Sequence, residues 1–347
     1  MRTRRLQGIA FGACLTPFLA FAHHSTLEYD RSVILEFTGQ IMRVQWQNPH
    51  VRMHIRVRTD DGTDQVWEAE AMDVNSLDRA GVARNLVEVG QVIQFAGSPS
   101  IRRADGFLVT NLLLPDGREL LTHSSGAARW NNEAIGNYQG LQGRADEYEA
   151  PVDDIFRTWT TVRSNTPAFS ANPPLTDAAS SAYEAFDPQV DDPVLRCIAP
   201  GMPEAMTYIG PHPVGFVQLP SADIEIQIES DDNVRVIHMN DDASPEGQPH
   251  SPLGYSVGRW EGETLVVTTT RLNWPYFKVE DLVAVPQSTQ MEIVERFALD
   301  GERGELTYSF TATDPVNFTE TVVADAYHVW RYRPGATIQT YGCTLDE

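Results

Sequence analysis

Cysteine is scarce in this chain: three in 347 residues, at positions 14, 197 and 343. That excludes a disulfide-dense scaffold and a cysteine-built metal cluster, since no paired-cysteine spacing is present either. Basic side chains are also few, 26 Lys and Arg against 48 Asp and Glu, for a net charge of −22. A surface this acidic repels phosphate backbones and anionic lipid, which makes nucleic acid and membrane surfaces poor partners; no nucleic acid and no membrane insertion after cleavage of the leader are expected. Beyond the first 22 residues, no apolar run reaches the roughly 18 residues that a spanning helix needs. The chain has no His-x-x-x-His on a predicted helix, no Asp-x-Asp-x-Asp-Gly loop and no glycine-rich phosphate loop. Tyr255-Ser256-Val257-Gly258 is not a nucleophile elbow, and the chain has no internal repeat.

What is present begins with a leader. Met1-Arg2-Thr3-Arg4-Arg5 is a basic head, residues 6–21 form a mostly apolar, uncharged stretch, and Ala20-Phe21-Ala22 is a small-x-small cleavage site. This pattern is that of a secretory signal peptide over residues 1–22, and it predicts a soluble periplasmic or secreted protein whose new N-terminus is His23. The leader carries three of the 26 basic residues and no acid, so 23 basic side chains then face 48 acidic ones, a net charge of −25. Cys14 leaves with the leader. Cys197 and Cys343 remain, an even count that predicts one disulfide in an oxidising compartment. It would close a loop of about 147 residues, for which loop entropy allows at most about 5 kcal/mol.

Residues 33–120 read as strands. Residues 33–44 form one long strand with Gly39 at a bend. Val51, Met53, Ile55 and Val57 alternate with Arg52, His54, Arg56 and Arg58, a period of two. Asp60-Asp61-Gly62-Thr63 is a hairpin signal before a third strand at 65–72. Residues 73–83 read as a short helix capped by Asp73, followed by strands at 92–96 and 107–114. Strand-strand-strand-helix-strand-strand is the order of a five-stranded OB-like barrel, placed at 23–120. Residues 121–150 are a polar, glycine-rich linker. In 151–347, after a proline-rich lead-in, candidate strands lie at 224–229, 234–239, 264–270, 290–299, 305–312, 319–326 and 336–342. They predict an antiparallel, lipocalin-like barrel or a sandwich, with the strand carrying Cys343 closing it beside Cys197.

The first domain resembles the DUF6152 group of exported bacterial proteins. The resemblance rests on His23-His24-Ser25, Phe37-Thr38-Gly39, Val44-Gln45-Trp46-Gln47-Asn48-Pro49-His50 and Leu112-Leu113-Leu114-Pro115-Asp116-Gly117-Arg118. The second resembles a separate exported β-rich group through residues 191–197, Pro200-Gly201-Met202-Pro203 and 258–267; where that group has a histidine before Ser256, this chain has Tyr255. Both resemblances imply architecture and export, and neither implies an activity.

Two chemistries stand out. If cleavage follows Ala22, the α-amine and imidazole of His23 chelate one ion, and His50 is the candidate third nitrogen of a T-shaped Cu(II) site. The amine, with a free pKa near ~8, must lose its proton, so binding would strengthen as pH rises. His50 and His54 lie about 13 Å apart at a strand rise of ~3.3 Å per residue and would not share an ion. The second domain is rich in aromatics, and Tyr255, Arg259, Trp260 and Arg296 are candidate ligand-binding residues at an apolar pocket. Glu292 and Glu295 fall on opposite strand faces and are not a catalytic pair. The leading expectation is an exported binding protein that holds a small, partly apolar or aromatic molecule in its C-terminal barrel. The alternatives are a copper carrier or mononuclear copper oxidase using His23 and His50, and a barrel enzyme acting on an apolar substrate.

Overall fold

The computed structural model describes residues 28–59, 61–136, 138, 147–187, 190–279 and 282–345. The leader, the cleavage site and His23 lie outside the described residues. The chain is mostly β and builds two closed barrels in succession.

The first barrel uses β1 (Leu35–Gln45), β2 (Arg52–Arg58), β3 (Asp64–Glu70), β4 (Val92–Pro99) and β5 (Gly106–Leu113). β1 pairs antiparallel with β4 through its first half and with β2 through its second, and a parallel β3–β5 pairing closes the ring. Gly39 sits where β1 changes partner, and a Cβ there would stand 2.8 Å from the Arg56 carbonyl oxygen, so the bend requires glycine. The period of two in β2 sends Met53, Ile55 and Val57 inward, where they join Ile41, Phe95, Phe107 and Leu112 in one apolar core. Helix α1 (Val74–Arg79) is capped by Asp73, whose carboxylate accepts from the Ser76 N–H at 2.8 Å. The sheet continues past β5 through β6 (Glu119–Leu121) and β7 (Ala134–Ile135). Part of the expected linker, β7 and the last residue of β6, therefore pairs with the first barrel.

The second barrel has nine strands: β8 (Thr158–Ser164), β9 (Val214–Gln218), β10 (Ile224–Ile228), β11 (Asn233–His238), β12 (Tyr255–Glu261), β13 (Thr264–Thr270), β16 (Glu292–Asp300), β17 (Glu305–Thr313) and β18 (Val322–Tyr332). A hairpin of β14 (Tyr276–Val279) and β15 (Leu282–Pro286) and two helices, α2 (Asp177–Ala185) and α3 (Glu204–Thr207), are not part of the ring, and the hairpin and α3 share its apolar core. The sequence left barrel and sandwich open; the closed ring decides for the barrel. Its neighbours run antiparallel except β11 and β12, which are parallel. Phe216, Phe297, Tyr308, Phe310, Tyr327 and Trp330 fill the interior with edge and stacked contacts 5.1–6.5 Å between centroids. One polar cluster is buried among them. Arg235 donates to both oxygens of Glu295, at 2.8 and 2.6 Å, and also to Ser256 and Thr269. Glu292 is exposed while Glu295 is buried, as their opposite faces require.

One expected strand is corrected. Residues 336–342 are not a strand, and β8 and β9 close the ring instead. The reason is local: the N–H groups of Gln339, Tyr341 and Gly342 donate at 2.7 Å to carboxylates of Glu229 and Asp232, which takes them from any ladder. Cys197 and Cys343 are joined by a disulfide. Among the described residues, no helix is long and apolar enough to cross a membrane.

Candidate functional site between the barrels

The barrels are docked through buried polar contacts. Arg79, the last residue of α1, makes a bidentate ion pair with Glu229, which follows β10. His212 stands between Glu229 and Asp73: its Nδ1 is 3.1 Å from Glu229 Oε1 and its Nε2 is 3.8 Å from Asp73 Oδ2. Asn75 donates to Glu229 at 3.1 Å and to the Thr340 carbonyl at 3.3 Å, and Asn48 donates to Asn75 at 2.8 Å and to the Tyr341 carbonyl. The segment 337–344 thus touches both barrels and is tied down at Cys343.

Beside this contact lies a cavity of about 490 Å³ walled by both barrels. The first barrel contributes His50, Glu70, Met72 and Leu108, together with His123 from beyond β6. The second contributes Ser164, Glu204, Tyr208, Lys278 and His328, and Tyr341 comes from the C-terminal segment. A concave site of this size with an apolar floor and convergent polar groups is where small molecules bind.

Its ionisable groups are pushed in both directions. Burial holds His328 neutral, with its pKa lowered to about 4. Burial likewise lowers His123 to about 4, helped by the charges of Arg31 and His50. Burial raises Glu70 above the usual carboxylate range. Burial also raises Glu204, against the pull of Lys278, whose Nζ donates to it at 2.8 Å. Burial pushes Lys278 the other way, but Glu204, Tyr208 and Asp192 outweigh it and keep the ammonium protonated. Lys278 is the chain's sole lysine, and its Nζ lies 4.5 Å from the centre of the Tyr208 ring. The Ser164 hydroxyl is 2.8 Å from Nδ1 of His328. Opposed shifts of this kind, gathered in one cleft, mark candidate functional sites.

The residues expected from sequence fall in three places. His50 lines the cavity, with its Nδ1 3.1 Å from the Ala71 carbonyl oxygen and 3.8 Å from Glu70. Its expected copper partner, His23, lies outside the described residues; among the described residues, no three His, Cys, Asp or Glu side chains are grouped to hold a metal ion. Tyr255 stacks on His238 at 4.4 Å on the outside of the second barrel, beside a smaller hollow of about 230 Å³ that reaches Arg235. Arg259 and Arg296 are exposed and both pair with Glu261, at 2.8 and 3.0 Å, while exposed Trp260 meets Phe156 edge-on. These four side chains do not converge on the cavity.

Glu70, Ser164, Glu204, Lys278 and His328 are not marked out as site residues by any motif in the sequence. The one available signal was a lone lysine in an Arg-based chain; the others gain meaning only when the barrels meet. Residues 13–107 match the model of a family of unknown function, DUF6152, so the first barrel is similar to that family. No curated protein matches the chain.

Proposed function

We propose that this protein binds a small, partly apolar molecule, and that the ligand sits between the two barrels. The observation that carries this reading is the cavity of about 490 Å³ with walls from both barrels and ionisable groups displaced in opposite directions. The second barrel's own interior is packed with aromatic rings and the Arg235–Glu295 pair, which favours the interdomain cavity over the barrel lumen. The protein acts in an oxidising compartment outside the cytoplasm, a placement supported by the leader pattern and by the Cys197–Cys343 disulfide.

The sole lysine supplies the test. Reductive methylation with formaldehyde modifies Lys278 and the chain's N-terminal amine and nothing else. A molecule that raises the melting temperature in a thermal-shift screen and slows methylation of Lys278 supports the reading. A tightly bound molecule that leaves Lys278 methylation unchanged places the site elsewhere and refutes it.

Acid–base catalysis on the bound molecule is the second reading, favoured by the neutral His328 and its contact to the Ser164 hydroxyl. Turnover abolished by His328→Gln without loss of ligand affinity would establish it.

A further inference from the structure

A buried polar atom that makes no hydrogen bond costs roughly 1–3 kcal/mol, so folded proteins keep few of them without use. Two such atoms belong to side chains lining the interdomain cavity, one from each barrel. Glu70 ends β3 and is 3% exposed, and its Oε2 makes no hydrogen bond. The flanking basic groups, Nδ1 of His50 at 3.8 Å and Nε of Arg52 at 3.9 Å, stand beyond hydrogen-bond reach of the carboxylate. His328 lies on β18 and is also 3% exposed; Nδ1 meets Ser164, and Nε2 makes no hydrogen bond. The carbonyls of Met206 and Thr207 approach its ring without reaching hydrogen-bond geometry at Nε2. The ring is neutral near pH 7 and carries one N–H. With the Ser164 hydroxyl donating to Nδ1, that N–H is on Nε2.

The rest of the wall restricts the ligand further. Met72, Leu108, Val194 and Ile209 supply apolar lining. Lys278 and Arg31 would repel an ammonium group, and Asp73, Asp192 and Asp231 would repel a carboxylate. Building on the cavity's role as a ligand site, we infer that it takes a neutral, largely apolar molecule with a hydroxyl at one end and a carbonyl at the other. The hydroxyl meets Glu70 Oε2, and the carbonyl accepts from the Nε2–H of His328. A hydroxyl both donates and accepts, so it serves Glu70 in either protonation state.

Calorimetry with three matched probes tests this: 6-hydroxy-1-tetralone, which has both groups; 1-tetralone, which has the carbonyl alone; and 5,6,7,8-tetrahydro-2-naphthol, which has the hydroxyl alone. The hydroxyketone should bind about tenfold more tightly than either single-function probe, the worth of one added hydrogen bond. Glu70→Leu should erase its advantage over 1-tetralone, and His328→Phe its advantage over the naphthol. If a variant does not fold, judged by circular dichroism, the ranking of the three probes on the wild-type protein still decides. Equal binding of all three overturns the two-ended ligand and leaves the ligand site standing. No binding by any of them at millimolar concentration, with Lys278 methylation unaffected, overturns both.

Discussion

Glu229 should hold the barrels together in a way that pH can read. Its carboxylate is fully buried, which by itself would raise its pKa; hydrogen bonds from His212, Arg79 and the Gln339 N–H outweigh burial and lower it from 4.5 to about 2. A carboxylate depressed in the folded state stabilises that state above its unfolded pKa and loses the contribution as pH falls through the folded value. A displacement of this size is worth about 3 kcal/mol, present above pH ~4.5 and gone near pH ~2. His212 has the opposite sign. Burial lowers its pKa, but Asp73 and Glu229 outweigh that and raise it above 6.5, so its contribution is complete below pH 6.5 and lost as pH rises through the folded value. Docking should therefore be firmest between about pH 4.5 and 6.5. Urea unfolding of the wild-type protein and of Glu229→Gln from pH 2 to 9 measures this. The variant should lose about 3 kcal/mol or more at neutral pH, because Arg79 and His212 are left buried without their partner. The gap between the two proteins should close toward pH 2, which removes the background from the other carboxylates. A gap that is constant across the whole range would refute the argument.

Other outcomes follow from the same geometry. Glu295→Ala should destabilise the second barrel by about 3–5 kcal/mol, since it strands the buried Arg235 guanidinium, and chemical denaturation will show whether it does. Trp330→Ala, at a fully buried ring stacked with Phe297 and Tyr308, should cost about 3–5 kcal/mol by the same measurement. Arg259→Ala and Arg296→Ala should each change stability by less than about 1 kcal/mol, because their pairs with Glu261 are exposed, and neither should alter ligand affinity. Removal of the Cys197–Cys343 disulfide by a Cys343→Ser change should cost about 2–5 kcal/mol, read as a lower melting temperature that reductant no longer affects.

The first barrel was legible because its signals are local. The alternation around Met53 and Ile55, the Asp73 cap and the bend at Gly39 each depend on neighbours a few residues away. The second barrel was read less completely. β8, at 158–164, stands just before the proline-rich stretch and carries no clean alternation, and 336–342 has a strand pattern but gives its N–H groups to Glu229 and Asp232, about a hundred residues earlier. Rings and charges are dense near β12, which is what points to Tyr255, Arg259 and Trp260 in the sequence. Yet the period of two sends Arg259 and Glu261 to the same outer face, where they satisfy each other. The cavity itself is a product of docking: Asn75 and Glu229 stand 154 positions apart, a relation that no window of sequence displays. His50 was the exception. The sequence offers it as a metal ligand, and it lines the cavity.

The segment 337–344 follows both barrels in chain order, yet it supplies Tyr341 to the cavity wall and carbonyls to Arg79, Asn75 and Asn48. Both barrels have their strands complete before this segment begins. The cavity is finished by a segment that follows both barrels. The chain can then hold two folded barrels without a finished cavity, and seating of one short strap separates the two states. A chain cut just after β18 should give two sound barrels and no complete site between them.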